Sequence, residues 1–406
     1  MTSSADGQAP VHAFRGPRQV LIGDGSVTRV GEAAAGCSTS RNVMVVTDAY
    51  LNDAGLVGVV ADALRAAGCS VEVFAEVAAE PDEDVAGRAT EVARSVSAGC
   101  VVGLGGGSSL DLAKIAAAAV TNEASPAEFV GVNALTVEPV PMVLVPTTAG
   151  TGSEATQIAM LTVDGKKRII NDPRLVADAA ILDPTLVVSL PPAVTAATGL
   201  DAISHAIEAL ISTNANALTA AMSSQAVRLL SRGVLVAYRD GSDIEARRAT
   251  LYGAHLAGRA LNAGSVLGHA TAYTIANRAH LAHGVTCAMA LPFCLVYALE
   301  NPLVAPLLET LANDVADPSI EAGLDVLGWL ERLNRDLEVP AGLRAVGIER
   351  AEVSSMTSEC MDLYPRPNNP VPLEWGRLER MYGYLWADDV RGYLDIERER
   401  TKGATL

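Results

Sequence analysis

The strongest constraint on the fold is the alternation of short apolar runs with helical segments in the first half of the chain. Apolar residues recur with helical spacing over residues 54–67 and 85–98. Around them lie four short strand candidates, at residues 43–47, 71–74, 100–104 and 140–146, most of them apolar. Continuous apolar runs, without polar alternation, are typical of strands buried on both faces of a parallel sheet. The pattern therefore predicts an α/β domain, and such sheets bind ligands beyond the carboxyl ends of their strands.

The pattern changes at residues 190–192, where the sequence reads Leu-Pro-Pro. Proline cannot continue a helix and restricts the residue before it, so this segment is a candidate domain boundary. Downstream, helical spacing covers residues 194–212, 217–238 and 243–262, with almost no strand pattern. We expect a flexible tail at 1–13, an α/β domain at 14–190 and an all-helical domain at 191–406.

Charge and composition narrow the class of partner. The 406 residues include 47 acidic and 30 basic side chains, a net charge of −17, which argues against nucleic acid or an anionic membrane as the main partner. Half of the residues are hydrophobic, so the chain can bury a large core. The six cysteines form no CxxC pair, and we see neither a secretory leader nor an apolar run long enough to span a membrane. These features favour a soluble protein in the reducing cytoplasm.

A glycine-rich segment follows the third predicted strand and opens a helix. It contains Gly105, Gly106 and Gly107, followed by Ser108 and Asp111. Glycines let backbone N–H groups approach an anion closely, and the amino terminus of a helix favours a phosphate. The segment is therefore a candidate phosphate-binding loop, and the alternative is an ordinary strand-to-helix turn.

A second polar segment, with Thr147, Thr148 and Thr151, follows the fourth predicted strand. Its hydroxyls and amides could hold a pyrophosphate or a ribose, and Lys167 is a candidate cationic contact. Asp48, which follows the first strand, could accept hydrogen bonds from ribose hydroxyls and would repel a 2′-phosphate. This favours NAD over NADP as the cofactor, while the alternative role of Asp48 is that of a helix N-cap.

Four residues of the second half form a candidate metal site. Asp201 and His205 are four residues apart on a predicted helix, so they share one face, and His269 and His283 follow in glycine-flanked segments. Three imidazoles and one carboxylate suit Fe(II) or Zn(II) acting as a Lewis acid. The alternative is chance spacing, because single histidines are commonly structural.

Taken together and in this order, the motifs resemble the iron-containing (group III) alcohol dehydrogenase family, which has a dehydroquinate synthase-like fold. The resemblance covers nearly the whole chain and includes the segments GGGSSLDLAK, PTTAGTGSEAT, TGLDAISHAIEA and NAGSVLGHA. It implies a Rossmann-like NAD-binding domain, an all-helical metal-binding domain, an active site in the cleft between them and at least a homodimer. It also implies that the metal candidates named above are the metal ligands and that the cofactor candidates contact the cofactor. Gly105, Gly106 and Asp111 belong to the same loop motif.

The sequence departs from the family pattern at two positions near the third and fourth metal candidates. Tyr273 stands where many members have a histidine near the nicotinamide, and a tyrosine hydroxyl can relay a proton. Arg278 replaces the usual aromatic residue. We consider two roles for it, a contact to an anionic substrate tail and an ordinary surface arginine.

The expected activity is metal-dependent, NAD(H)-linked interconversion of an alcohol and an aldehyde or ketone by direct hydride transfer. The expected partner is a small-molecule substrate. A narrower hypothesis is reduction of an aldehyde that carries a carboxylate or phosphonate. Two further alternatives are a dehydroquinate synthase-like lyase and a structural homologue without catalysis.

Overall fold

The computed structural model describes residues 11, 13–316 and 325–403, with side chains through residue 400. The chain divides into two compact units, Phe14–Leu190 and one that contains Pro191–Leu406. The tail predicted at 1–13 lies largely outside the described residues.

The first unit alternates strands with helices. Its strands are β1 (Gln19–Ile22), β2 (Asn42–Val46), β3 (Ser70–Phe74), β4 (Cys100–Gly105), β5 (Gly131–Val132), β6 (Met142–Pro146), β7 (Ile158–Val163), β8 (Lys166–Asn171) and β9 (Ala179–Leu182). Its helices are α1 (Val30–Cys37), α2 (Ala49–Asp53), α3 (Leu56–Ala66), α4 (Glu83–Ser95) and α5 (Gly107–Thr121).

Six of the strands form an all-parallel sheet in the order β1-β9-β6-β4-β2-β3. Successive residues of β2 point to opposite faces: Met44 and Val46 belong to one hydrophobic cluster, with residues of α4 and α5. Val43 and Val45 belong to another, with residues of α1 and α3. Helices therefore cover both faces, which is why the central strands β2, β4 and β6 are buried along almost their whole length, and the predicted parallel α/β sheet is confirmed. The edge strand β3 contains Glu72 and is more exposed.

The chain reverses its direction of winding between β2 and β4. From β2 it moves outward to the edge strand β3, then returns to place β4 on the other side of β2. A crevice forms at such a switch point, at the carboxyl ends of the two strands, and ligands of doubly wound sheets bind there. Asp48 follows β2 and the glycine-rich segment follows β4, so both lie at this edge.

A smaller sheet in the order β5-β8-β7 was not predicted from the sequence. Its strands β7 and β8 are antiparallel and are joined by Asp164 and Gly165, both with positive φ angles of 51° and 68°. An Asp-Gly pair with this geometry is the usual two-residue hairpin turn. The signal was thus present in the sequence.

The second unit is helical, and residues 191–316 and 325–403 contain no strand. Its helices are α6 (Pro192–Ile211), α7 (Ala217–Arg239), α8 (Ile244–Ala260), α9 (Leu267–Ala279), α10 (His283–Ala298), α11 (Val304–Ala312), α12 (Val326–Asp336), α13 (Gly342–Ala345), α14 (Val353–Leu363), α15 (Trp375–Ala387) and α16 (Val390–Gly403). This confirms the predicted change from α/β to all-helical structure. Across the described part of the chain, none of the helices has the length and apolar character needed to cross a membrane.

Candidate functional site

Helix α6 presents Asp201, His205 and Glu208 on one buried face. The three side chains are three to four residues apart, a spacing that places them one above the other along a helix. All three residues are at least 93% buried. Buried ionisable groups need partners, because an isolated charge in an apolar interior is strongly unfavourable.

Two further helices supply those partners. His269 lies in the first turn of α9, and His283 is the first residue of α10. The Oδ1 atom of Asp201 lies 3.7 Å from His205 Nε2, 3.6 Å from His269 Nε2 and 4.0 Å from His283 Nε2. We call these four residues the metal donor set. The structure thus brings together all four candidate ligands from three helices, α6, α9 and α10.

The donor geometry fits a divalent metal ion. Two donors about 2.1 Å from one ion at the tetrahedral angle lie about 3.4 Å apart, close to the distances found here. The Nε2 atom of His269 is buried and has no hydrogen-bond partner among the described residues. Burial alone raises the pKa of Asp201, but the facing imidazoles outweigh it and hold this pKa far below its ordinary value. An ionised carboxylate facing three imidazoles is a suitable ligand arrangement for Fe(II) or Zn(II).

Glu208 holds His269 in the orientation that metal binding needs. His269 Nδ1 lies 2.5 Å from Glu208 Oε1, while Glu208 Oε2 accepts hydrogen bonds from the backbone N–H groups of Val266 at 2.7 Å and His269 at 3.2 Å. Donation from Nδ1 to the carboxylate leaves the Nε2 lone pair directed at Asp201. The sequence interpretation did not single out Glu208, although an acidic residue three positions after His205 on an apolar helix was a usable signal.

Two glycines beside the ligands allow the helices to approach. A Cβ atom at Gly268 would lie 2.5 Å from Glu208 Oε1, and one at Gly284 would overlap the carbonyl oxygen of Ala197 on α6. Since Gly284 follows His283 directly, close packing of α10 on α6 brings that imidazole to Asp201. The glycines that flank the histidines are therefore needed for the donor set to assemble.

The loop at residues 364–372 fixes the start of α9. Asn369 Oδ1 accepts a hydrogen bond from Leu267 N at 3.2 Å. Asn368 Nδ2 donates to the carbonyl oxygens of Ala263 at 3.2 Å and Ser265 at 3.0 Å. These bonds hold the segment that leads into His269, which gives the asparagines a structural function in the site.

Tyr273 lies beside the metal donor set. Its ring stacks on that of His283, with centroids 5.0 Å apart and an interplanar angle of 15°. On its other side lies the ring of Tyr364, also 5.0 Å away. The predicted role of Tyr273 in proton relay stays a prediction, and its position next to a candidate ligand is compatible with it.

Arg278 is already paired with acidic side chains. Its guanidinium lies 2.6 Å from Glu359 Oε2 and 3.5 Å from Glu352 Oε2, and it donates to the carbonyl oxygen of Thr274 at 3.0 Å. Two carboxylates therefore already neutralise this cation, which joins α9 to α14 and the turn before it. Arg278 therefore links helices, and its contact with an anionic substrate tail stays a prediction.

Cys287 also borders the metal donor set. The sequence predicts that Cys287 and Cys294 are core thiols, and both are buried. However, Cys287 Sγ lies 3.6 Å from His283 Nε2 and 3.9 Å from Asp201 Oδ1. Burial raises the pKa of this thiol to about 11. All six cysteines of the chain are free thiols.

In the α/β unit, the two predicted phosphate-binding segments lie side by side. Strands β4 and β6 are parallel neighbours that pair Gly105 with Pro146, and Thr147 N donates to the carbonyl oxygen of Gly105 at 2.9 Å. A Cβ atom at Gly107 would lie 2.8 Å from Thr151 Cγ2, and one at Gly106 would lie 3.3 Å from Thr148 Cγ2. We call these segments the glycine loop (residues 105–108) and the threonine loop (residues 147–152).

The glycine loop leads directly into α5. The N-cap is Gly106, no side chain caps the helix, and no acidic residue lies in its first turn. The hydroxyl of Ser108 donates to the carbonyl oxygen of Ala79. Amides at this helix terminus are therefore available to an anion, as a phosphate-binding role requires.

Asp111 and Lys114, both buried on α5, hold the segment after the threonine loop. Asp111 accepts from Ser153 Oγ at 2.6 Å and Met160 N at 2.9 Å. The ammonium group of Lys114 donates to the carbonyl oxygens of Ser153 at 2.6 Å and Ile158 at 2.7 Å. Burial raises the pKa of Asp111 and lowers that of Lys114 to about 8. Both residues thus shape the loop, while direct contact of Asp111 with a cofactor stays a prediction.

Two other cofactor candidates lie nearer the surface. Asp48 Oδ1 accepts from Leu51 N at 2.9 Å, so the alternative reading of Asp48 as a helix N-cap is confirmed. Its second proposed role, as a ribose acceptor, stays a prediction. Lys167 is exposed on β8, and its Nζ lies 3.8 Å from Glu80 Oε1. Its contact with a phosphate also stays a prediction.

Known proteins provide an independent comparison. Residues 17–184 match the family model "Iron-containing alcohol dehydrogenase", and residues 195–383 match the model of that family's C-terminal domain. Long-chain-alcohol dehydrogenase 1 of Geobacillus thermodenitrificans is 36% identical over 361 residues, which cover 86% of this chain and 91% of that protein.

Solved structures agree in fold. A 1,3-propanediol oxidoreductase has a TM-score of 0.86 at 30% identity, over 92% of this chain and 99% of that one. The sulfoacetaldehyde reductase of Bifidobacterium kashiwanohense, solved with NAD+, has a TM-score of 0.83 at 26% identity, over 93% and 100% of the two chains. The resemblance noted in the sequence is confirmed: this chain belongs to the iron-containing alcohol dehydrogenase family and is an oxidoreductase of the alcohol dehydrogenase type.

Proposed function

We propose that this protein interconverts a small alcohol and its aldehyde or ketone by direct hydride transfer with NAD(H), using a metal ion held by Asp201, His205, His269 and His283. One observation carries the proposal: three imidazole Nε2 atoms converge on Asp201 Oδ1 within 4.0 Å. A bound Fe(II) or Zn(II) supplies a Lewis acid that polarises the substrate oxygen. The proposed ion is Fe(II), which the family resemblance implies, or Zn(II), which the same ligand types also hold.

The residues of the chain contribute orientation and proton handling. Glu208 keeps the Nδ1 proton on His269 and so leaves the lone pair of Nε2 free to bind the metal ion. The Tyr273 hydroxyl is proposed to hold the proton that leaves or joins the substrate oxygen. Its stacking on His283 supports this, because the ring is fixed beside a donor, and a phenol can both donate and accept.

We propose that the Phe14–Leu190 unit binds NAD and that the unit containing Pro191–Leu406 binds the metal. The amides and hydroxyls of the glycine and threonine loops would hold the pyrophosphate, with Lys167 as a cationic contact. Uncapped amides at the start of α5 support this assignment. The Asp48 carboxylate, at the neighbouring strand end, would accept from the ribose and disfavour NADP.

The proposed setting is the cytoplasm, with at least two copies of the chain per assembly. Free cysteines support a reducing compartment, and the oligomer is proposed from the family resemblance alone. The narrower hypothesis, an aldehyde that carries a carboxylate or phosphonate, has weaker support from Arg278, because two carboxylates already neutralise its guanidinium.

The test follows NADH absorbance with a panel of neutral and anionic alcohols and aldehydes, using metal-analysed full-length protein. The protein is stripped of metal, reloaded with Fe(II) or Zn(II), and assayed with NADH and with NADPH. We expect metal-dependent net turnover that prefers NADH. Metal-loaded protein that binds NADH without any net turnover would overturn the dehydrogenase proposal and favour a lyase, which uses the cofactor transiently.

A further inference from the structure

One buried side chain at the metal donor set has no part in the proposed reaction. Cys287 lies on α10 one turn after His283, and the residue is fully buried. Its sulfur faces polar atoms rather than aliphatic side chains: His283 Nε2 at 3.6 Å and Asp201 Oδ1 at 3.9 Å. A thiol that only filled the core would not need these neighbours.

The distances fit a shared metal ion. One ligand atom each from Asp201, His269, His283 and Cys287 lies within 4.8 Å of all the others. A thiolate about 2.3 Å from an ion, at the tetrahedral angle to a nitrogen donor about 2.1 Å away, would lie about 3.6 Å from that nitrogen. This is the separation between Cys287 Sγ and His283 Nε2.

The unpartnered nitrogen of His269 supports the same ion position. Its Nε2 is buried without a hydrogen-bond partner in the described part of the chain, although Asp201 Oδ1 lies 3.6 Å away. Because Nδ1 contacts Glu208, Nε2 is the ring atom that remains to bind a metal ion. Cys287 therefore lies close to a buried imidazole nitrogen that has no hydrogen-bond partner in the described part of the chain.

Cys294, on the same helix, provides a comparison. It is also buried, but its sulfur contacts the Thr271 hydroxyl at 3.6 Å and the Met381 sulfur at 3.9 Å, neither of which is a strong metal ligand. Of these two thiols, that of Cys287 lies beside carboxylate and imidazole groups and that of Cys294 does not.

We propose that Cys287 Sγ is a further donor to the metal ion, and that its thiolate shifts the preference of the site from Fe(II) toward Zn(II). This inference rests on the metal site of the proposed function. As the metal–sulfur bond forms, the thiol proton leaves to solvent and no redox change occurs. Soft thiolate ligands favour zinc over harder metal ions, which gives the preference its direction.

The experiment titrates metal-free full-length protein with Co(II) and records the near-ultraviolet and visible spectra. Co(II) is the probe because a bound thiolate gives an intense charge-transfer band, whereas nitrogen and oxygen donors give only weak visible bands. We expect the band in the parent protein and in Cys294→Ser, and its loss in Cys287→Ser with one equivalent of Co(II) still bound. Competitive loading with Fe(II) and Zn(II) should show the zinc preference falling about tenfold in Cys287→Ser.

Three results would overturn the inference. One equivalent of Co(II) bound by the parent protein without the band excludes Cys287 as a donor and leaves the metal site intact. Persistence of the band in Cys287→Ser assigns it to another thiol. A parent protein that binds neither Co(II) nor Zn(II) removes the proposed function together with this inference. The first result needs no variant, so a folding defect in Cys287→Ser would not hide it.

Discussion

The metal donor set and the pair of phosphate loops use different parts of the chain to hold charge. The donor set is made of side chains from α6, α9 and α10. Asp201, His205 and His269 are buried, His283 is partly exposed, and a further carboxylate, Glu208, orients His269. The glycine and threonine loops are made mainly of backbone at adjacent strand ends, where glycines permit close contact. Buried charges need specific partners, whereas backbone amides need only an exposed helix terminus and space.

This difference has a consequence for mutation. A change in the donor set leaves another buried ionisable group without its partner, so binding and stability fall together. A change in the loops removes space or an amide contact and leaves the rest of the fold in place. The two regions can be separated by experiment, since metal content reports on one and NADH affinity on the other.

The largest effect is expected from His269→Ala. It removes a proposed ligand and leaves the buried Glu208 carboxylate facing a cavity. Metal affinity should fall about 100-fold or more, the metal-dependent turnover should be lost, and the free energy of unfolding should drop by about 3 kcal/mol. Metal analysis and denaturant unfolding measure these changes.

The control for His269→Ala is His280→Asn. His280 is exposed at the end of α9 with a φ angle of 50°, a conformation that asparagine also adopts. It should change neither metal content nor turnover. Full metal occupancy and full activity in His269→Ala would show that the ligand assignment is wrong.

Gly284→Ala should be next in size. The added methyl group would overlap the Ala197 carbonyl, push α10 from α6 and move His283 from Asp201. We expect a loss of about 1–3 kcal/mol in the free energy of unfolding together with weaker metal binding. The control is Gly383→Ala on α15, where an added Cβ meets nothing within 4 Å, and this change should be neutral or stabilising. Equal effects of the two variants would contradict the packing argument.

Glu208→Gln should reduce metal affinity about tenfold, because the second partner of a metal-binding histidine fixes its orientation and basicity. NADH affinity should stay unchanged, which keeps the effect within one region. Calorimetric Zn(II) titration and NADH fluorescence measure the two. Glu359→Gln, which alters a carboxylate bound to Arg278 instead, is the matched control. Unaltered Zn(II) affinity in Glu208→Gln would refute the positioning role.

Gly107→Ala tests the loop region. The new Cβ would lie 2.8 Å from Thr151 Cγ2 and force the glycine and threonine loops apart. NADH should bind about tenfold more weakly, equivalent to about 1.4 kcal/mol, with unchanged metal content. Gly87→Ala, on α4 with open space around an added Cβ, is the control. Normal NADH affinity in Gly107→Ala would argue against a cofactor at these loops.

The smallest effect on stability is expected from Asp48→Asn, which separates the two roles considered for that residue. Asparagine caps a helix as well as aspartate does, so the free energy of unfolding should change by less than about 0.5 kcal/mol. Loss of the charge should nevertheless raise NADPH use relative to NADH. Asp48→Ala should cost about 1 kcal/mol through the lost cap. An unchanged NADPH-to-NADH ratio in Asp48→Asn would leave Asp48 as a cap only.

Local patterns predicted much of the fold because local physics governs those parts. The apolar runs at β2, β4 and β6 are continuous because both faces of the sheet are covered there, and that pattern is readable from the sequence alone. The edge strand β3, which contains Glu72, was recognised from its valines and Phe74. The short strand β5 has two residues, too few for a pattern. The hairpin at Asp164 and Gly165 was readable from its turn residues but was not predicted.

The site residues also divide into those that the sequence identified and those whose roles needed the three-dimensional structure. Asp201 and His205 were recognised because one helical turn relates them, and their convergence with His269 and His283 was an expectation from motif and resemblance. The roles of Glu208 and Cys287 emerged only in three dimensions, since their partners lie on other helices. The ion pairs of Arg278 could not be predicted either, since its partners, Glu352 and Glu359, lie more than 70 residues away along the chain.

The sequence by itself determined the class of fold, the family resemblance and the candidate ligands, because periodicity, glycine placement and helical spacing are local properties. Tertiary structure alone decided which buried group faces which: that Glu208 orients His269, that Cys287 lies among the donors, and that Arg278 is neutralised. The reason is physical. Burial and electrostatic pairing depend on distances between segments that are remote along the chain, and only packing sets those distances.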